Sequence, residues 1–241
     1  YCENGMTPTY NGFERDGVTP TMGGYSDGFV INENYAMKIP AGLDLAAVAP
    51  LLCAGITLYS PLKYWSAGPG KKVAIMGLGG LGHMGVKFAH ALGAEVTVLS
   101  HSPNKEVDAR SLGADHFVVT SDPAQMQSVK RKFDLILDTV SAEHNINDYL
   151  GLLTTNGTLV VIGLPGVPFA VNAGALLSGR RSMAGSMIGG ISEIQEMLDF
   201  CGEKNIVSEI ELINADYVNT AYERTVKSDV RFRFVIDIAT L

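Results

Sequence analysis

The sequence predicts a doubly wound α/β fold, a parallel sheet covered by helices on both faces, together with the remains of a mostly β second domain. Two observations carry the prediction. Short β-branched apolar runs at 73–76, 96–99, 116–119, 133–137 and 158–162 are bounded by Gly, Asp or Ser, as strands buried on both faces should be. Between them lie stretches of helical period, and strand alternating with helix at this spacing is the signature of a parallel sheet. A third observation limits the domain, because the rhythm is lost after Gly190.

In chain order, "TPTYNG" and "ERDGVTPTMGG" read as loops, and "YSDGFVINENYAMKIP" as a partly alternating strand. "GLDLAAVAPLLCAGITLYSPLKYW" is helical, with Leu43 or Asp44 as its entry point and Pro50 early in a second segment. The helix expected over 81–92 puts Leu81, Met84, Phe88 and Leu92 on one face. Further helices are expected over 104–112, 123–132, 145–153 and 173–181. After "SMAGSMIGG" come a helix near 192–203, a strand "EIELI", a helix near 215–227 and a final strand "RFRFVIDI". The expected division is therefore 1–52 as part of one domain, 53–189 as the parallel-sheet domain, and 190–241 as the return to the first. No repeat or low-complexity segment interrupts it.

The first strand hands over to its helix through "GLGGLG", which is Gly77, Leu78, Gly79, Gly80, Leu81 and Gly82. In this G-x-G-x-x-G pattern Gly77 permits the tight turn, Gly79 lets backbone amides approach a pyrophosphate, and Gly82 lets the helix pack on its strand. The helix N-terminus itself favours an anion. A Rossmann-type dinucleotide site follows. The second strand ends in Ser100, His101 and Ser102, with Lys105 beyond, and not in the acid that usually holds a ribose 2′-hydroxyl. Hydroxyls and an ammonium suit a 2′-phosphate, so NADP(H) is expected. The same Ser102-Pro103-Asn104 could equally serve to cap the helix that follows.

A net charge of −7 over 241 residues argues against a nucleic-acid or anionic-membrane partner. No apolar run is long enough to span a bilayer. Three cysteines, Cys2, Cys53 and Cys201, are too scattered for a disulfide framework, so a cytoplasmic setting is expected. Read by itself Cys53 is a small hydrophobe on a buried helix, and Cys201 a core residue. His83 and His90 are expected on the polar side of their helix, and His116 and His144 as structural or solvated groups. The chain opens on Tyr1, which suggests a start inside a longer product. The uncharged "SMAGSMI" run would leave an open sheet edge, and a homodimer through Ser182–Ile188 would cover it.

Over nearly its whole length the sequence resembles the zinc-dependent medium-chain alcohol dehydrogenases, especially the cinnamyl alcohol dehydrogenase-like branch. The carriers are "APLLCAGITLYSPL", "GLGGLGHMGVKFAHALGAEVTVLS", "LGAD", "DTV", "GSMIGG", "EMLDFC" and "DVRFRFVID". The resemblance implies that Cys53 is one ligand of a catalytic zinc and Cys2 the last of four cysteines on a structural zinc. It implies a cofactor contact at Thr57, the pyrophosphate turn at Gly77 to Gly82, and a 2′-phosphate pocket at Ser100, His101, Ser102 and Lys105. Thr139, Gly163, Ser186, Met187 and Ile188 would wall the nicotinamide and its ribose. The family's other zinc ligands and its proton-relay residues fall upstream of Tyr1, so no catalytic residue can be assigned here. The activity implied is reversible hydride transfer between a small primary alcohol or aldehyde and NADP(H), with the chain as the C-terminal portion of such an enzyme, inactive by itself. The other reading is a non-catalytic NADP-binding protein.

Overall fold

A computed structural model describes residue 3 and residues 5–241. Its centre is a six-stranded parallel sheet: β1 (Lys72–Met76), β2 (Glu95–Ser100), β3 (His116–Val119), β4 (Phe133–Asp138), β5 (Leu153–Val161) and β6 (Ser182–Gly185). The strands lie in the order β3-β2-β1-β4-β5-β6, so the winding reverses between β1 and β4. Register is continuous across that reversal, with Val73 beside Val96 on one flank and Leu135 on the other.

Successive side chains of a strand face opposite ways, and the core divides accordingly. Val73, Ile75, Val96, Val98, Leu135 and Leu137 pack in one layer. Ala74, Met76, Leu99, Ile136 and Leu159 pack in the other. The first layer is covered by α2 (Ala54–Tyr64), α3 (Gly82–Ala91) and α8 (Ile191–Lys204). The second takes Ile146, Tyr149 and Leu150 from α6 (Ile146–Leu150), and Ala175 and Leu176 of α7 (Ala173–Leu177) pack against it. Shorter helices α4 (Glu106–Ser111) and α5 (Pro123–Ser128) complete the crossovers. Ahead of α2, Asp44 caps α1 (Leu45–Val48) by accepting from Ala46 N–H, as an N-cap carboxylate should.

The C-terminal strands stay out of this sheet. β7 (Ile210–Asn214) and β8 (Arg233–Asp237) form a parallel pair of their own, bridged by α9 (Val218–Val226). They are tied to the sheet domain by side chains of α3: Lys87 Nζ donates to Val207 O at 2.6 Å and to Glu209 at 2.7 Å. The N-terminal segment meets α8 through Lys38 and Gln195, each donating to the other. No single helix among the described residues is long and apolar enough to cross a membrane.

Several expected elements are corrected. Residues 25–40 form no strand; only a 3-10 turn, Glu33–Tyr35, interrupts them, and Val30 is 99 % exposed. A strand needs a ladder partner, and none lies beside this segment among the described residues. The helix expected over 145–153 ends at Leu150, because the carbonyls of Gly151 and Leu152 are taken by the N–H groups of Arg131, Lys132 and Phe133. The same bonds stop the helix expected over 123–132 at Ser128. The helix over 173–181 ends at Leu177, where Arg180 turns left-handed and Arg181 N–H reaches back to Leu176 O.

The turn between β1 and α3 shows which glycines are structural. Gly77 has φ +87°. A Cβ on Gly82 would overlap the carbonyl of Gly77, whereas a Cβ on Gly79 would meet nothing within 4 Å. Gly82→Ala should therefore lower unfolding free energy by about 1–3 kcal/mol, the usual cost of overpacking. Gly79→Ala should stay within about 0.5 kcal/mol of the parent, as an uncrowded substitution does. Urea unfolding of the two variants beside the parent measures the difference.

Candidate functional site

A cleft of about 520 Å³ opens at the point where the strand order reverses. Its floor is the glycine turn, Gly77 to Leu81, which leaves β1, and Thr139, which leaves β4. In open α/β sheets this crevice outside the strand ends is where ligands bind. The opposite wall comes from the C-terminal segment and includes Phe232, Arg233 and Phe234, with Tyr222 of α9 above. Lys105, Arg231 and Arg233 line the cleft, and among the described residues no carboxylate does. For a chain of net charge −7 that is a local reversal of sign, suited to an anion.

Each cation is held. Arg233 Nε donates to Gly80 O at 3.1 Å, which ties the far wall to the glycine turn. Burial lowers the Arg233 pKa, with the nearby Cys53 acting against it. Arg231 pairs with Asp108 of α4 at 2.6 Å. Lys105 Nζ donates to Leu78 O at 2.9 Å, and burial together with Arg231 lowers its pKa.

The structure brings together only part of the expected site. Gly77, Leu78, Gly79, Gly80, Leu81, Lys105 and Thr139 line the cleft; Gly82 starts the helix beneath it. Ser100 is buried, and its hydroxyl accepts from Ser102 N–H at 3.2 Å, so it shapes the β2 corner. Ser102 makes no side-chain cap to the following turn, and His101 is exposed. Thr57 is buried and donates to Cys53 O. Gly163, Ser186, Met187 and Ile188 lie outside this cleft's lining. A Cβ on Gly163 would overlap Val140 O, so a close crossing of two loops requires that glycine. Ile188 sits at φ +54°, unusual for a β-branched residue.

The cysteine readings divide. Cys201 is wholly buried, as expected, and burial pushes its thiol up to about 12. Cys53 is exposed at the start of α2, contrary to the buried position its helix suggested, because the chain breaks from a 3-10 turn into α2 at that residue. Cys2 falls outside the described residues. A catalytic zinc needs three protein ligands. No three His, Cys, Asp or Glu side chains gather as a metal site among the described residues, so the donor set there does not fit zinc.

Sequence reasoning missed three features. Arg231 and Arg233 were read as strand residues, although an Arg-x-Arg pair in an apolar run was a usable signal. Asp138, with no exposure, closes β4: its carboxylate accepts from Val140 N–H at 3.0 Å and meets His144 Nε2 at 3.0 Å. Its carbonyl accepts from Ile162 and Gly163 N–H, so one residue ties both loops beside the cleft. Burial raises the Asp138 pKa against the pull of these partners. Third, His83 is not on a polar face but wholly buried. It stacks on Phe232 at 4.9 Å and bonds Ser208 Oγ at 2.9 Å and Gly79 O at 3.1 Å. The helical wheel failed because the segments leading into β7 and β8, with Ser208 and Phe232, cover the face it assigned to water.

Strand order, glycine turn and a cationic cleft at the switch point define a Rossmann-type domain of the dinucleotide-binding kind. The description "Zinc-binding dehydrogenase" matches residues 80–203. NADP-dependent alcohol dehydrogenase C 1 of Mycolicibacterium smegmatis is 58 % identical over 242 residues, covering 100 % of this chain and 69 % of that protein. The solved cinnamyl alcohol dehydrogenase of Sorghum bicolor superposes with a TM-score of 0.95 at 47 % identity, over 99 % of this chain and 68 % of its own. A Helicobacter pylori counterpart complexed with NADP(H) gives 0.88 at 42 % identity, over 96 % and 66 %. The chain belongs to the zinc-binding dehydrogenase family, in its alcohol dehydrogenase and cinnamyl alcohol dehydrogenase-like part.

Burial at His83 has a measurable consequence. Desolvation, with Arg233 and Lys87 adding to it and Gly79 O and Glu209 opposing, lowers its pKa from 6.5 to about 4. The unfolded chain thus takes up this proton near pH 6.5 and the folded chain only near pH 4. Stability should fall as pH drops through that window, by up to about 3 kcal/mol, and be unaffected by this group above it. Urea unfolding at pH 7, 5.5 and 4.5 checks this; His83→Phe should lose that increment of the slope.

Proposed function

We propose that the cleft binds NADP(H) and that the chain carries the cofactor-binding part of an NADP-dependent alcohol dehydrogenase. Its reaction would interconvert a small primary alcohol and its aldehyde by hydride transfer. The carrying observation is the position of the glycine turn with Lys105 and Arg233 at the β1/β4 switch point, free of carboxylates. The 58 % identity to an NADP-dependent relative supports the choice of cofactor. When bound, NADPH supplies the hydride.

The chain's own residues bind and orient. The N–H groups of the glycine turn would meet the pyrophosphate, since those of His83, Met84 and Gly85 in the first helical turn are given to the Gly79 and Leu81 carbonyls. Arg233 would neutralise it from the far wall. Lys105, released from Leu78 O, would meet the 2′-phosphate beside Ser100, His101 and Ser102. Phe232, Phe234 and Val230 would exclude water from the bound dinucleotide. Thr139, whose hydroxyl donates to Met76 O at 2.7 Å, is rigid enough to form the floor toward the nicotinamide, with Thr57, Gly163, Ser186, Met187 and Ile188 beyond it. No step is assigned through zinc. Cys53 would contribute one ligand and Cys2 one structural ligand, each requiring partners outside the described set. The domain boundaries proposed are 1–52 and 190–241 around 53–189.

Lys105→Ala should weaken NADPH binding by about 1–3 kcal/mol, roughly 5- to 150-fold, through loss of a charge-assisted contact, while NADH binding changes little. Fluorescence titration with both cofactors decides; equal losses would remove Lys105 from the 2′-phosphate site. Purified as these 241 residues, the chain should bind NADPH, hold well under one zinc per chain and reduce no aldehyde. The fluorescence titration tests the first; metal analysis beside an NADPH-oxidation assay tests the last two, and one zinc with turnover would refute them.

β6 is an edge strand, and Met187 and Ile188 beyond it are exposed. Pairing of two copies through this edge would cover it. Sedimentation velocity at micromolar concentration should give a dimer, and a Ser182→Pro variant a monomer.

A further inference from the structure

We infer that His83 is a positioning residue for the dinucleotide pyrophosphate: its ring fixes the plane of the Gly79–Gly80 peptide so that the Gly80 N–H faces the ligand. The inference rests on reading the cleft as an NADP(H) site. A glycine turn has no side chains of its own to hold it, and its freedom is lost on binding unless something fixes it beforehand. Here one residue does so twice. The Gly79 carbonyl accepts from the His83 backbone N–H at 3.1 Å and meets the His83 ring Nδ1 at 3.1 Å. A carbonyl can only accept, so Nδ1 carries the ring hydrogen, and in the neutral ring Nε2 accepts from the Ser208 hydroxyl at 2.9 Å.

Both donors pull the Gly79 oxygen down toward α3. A trans peptide is planar, with its N–H opposite its C=O, so the Gly80 N–H is directed away from the helix. Gly79 and Gly80 line the cleft, which is where that direction leads. The next carbonyl, of Gly80, is held by Arg233 from the far wall. The ring cannot swing out: it has no exposure and lies at 16° to the Phe232 ring. Donors held in place before the anion arrives cost no reorganisation when it binds.

Two substitutions separate the ring nitrogens. His83→Asn places an amide N–H near the Nδ1 position and keeps the bond to Gly79. His83→Gln places its amide near Nε2, keeps Ser208 and leaves Gly79 O with one donor. Both lose the stack on Phe232, so their melting temperatures should fall alike. Fluorescence titration should find His83→Asn within about threefold of the parent and His83→Gln about tenfold weaker, the worth of one hydrogen bond. The loss should be the same for NADPH and NADH, because the pyrophosphate is common to both, and Ser208→Ala should bind both cofactors as the parent does. Equal affinities in the Asn and Gln variants, the reverse order, or a loss confined to NADPH would overturn the assignment. Long-range proton–nitrogen NMR of the parent gives a second reading that needs no variant: hydrogen on Nδ1 is expected, and hydrogen on Nε2 would overturn it. A parent chain that binds neither dinucleotide would overturn the proposed function, and the role of His83 with it.

Discussion

The closeness of the start of α3 to the end of β1 governs the rest of the structure. Gly82 lies against the carbonyl of Gly77 with no room for a Cβ, and Gly77 itself turns through a left-handed conformation. That approach aims the helix start at the sheet's switch point and brings the face of α3 carrying Met84 and Phe88 onto β1 and α2. It also leaves the peptides from Gly77 to Leu81 at the cleft floor, where a Cβ on Gly79 would meet nothing within 4 Å. Gly82 is thus needed for packing, whereas Gly79 is not.

A turn so lightly built depends on what surrounds it. Four supports converge, three of them from distant parts of the chain. Lys105 holds Leu78 O, His83 holds Gly79 O, Arg233 holds Gly80 O, and Thr139 holds the end of β1 through Met76 O. Lys105 and Arg233 are cations lining a cleft that takes no carboxylate from the described residues. The same contacts therefore organise the backbone and set the sign of the local field. Burial costs the cations some of their basicity, opposed by Asp108 at Lys105 and by Cys53 at Arg233.

Much of this was legible in the sequence. Strand and helix alternation, and the glycine turn with its tight bend at Gly77 and close helix packing at Gly82, follow from local pattern. Local pattern is reliable there because a parallel strand is apolar on both faces and a tight turn admits few residue types. The reading failed wherever the partner was remote. Residues 25–40 alternate like a strand yet have no ladder beside them in the described chain. The helices after Pro123 and Asn145 stop early because backbone groups from two segments bond each other across the sheet's lower end.

Sequence by itself determined the fold class, the position of the glycine turn and the family resemblance, since each rests on residues within a few positions of one another. Only the tertiary structure decided which side chains share the cleft. It joined Arg231 and Arg233 to the glycine turn across some 150 residues, and it set Gly163, Ser186, Met187 and Ile188 outside the cleft's lining. It also turned His83 from an apparent surface residue into the buried link between α3 and Phe232, just before β8. Periodicity reports which face of an element is apolar, but a polar residue on that element is buried or exposed according to what the rest of the chain lays over it.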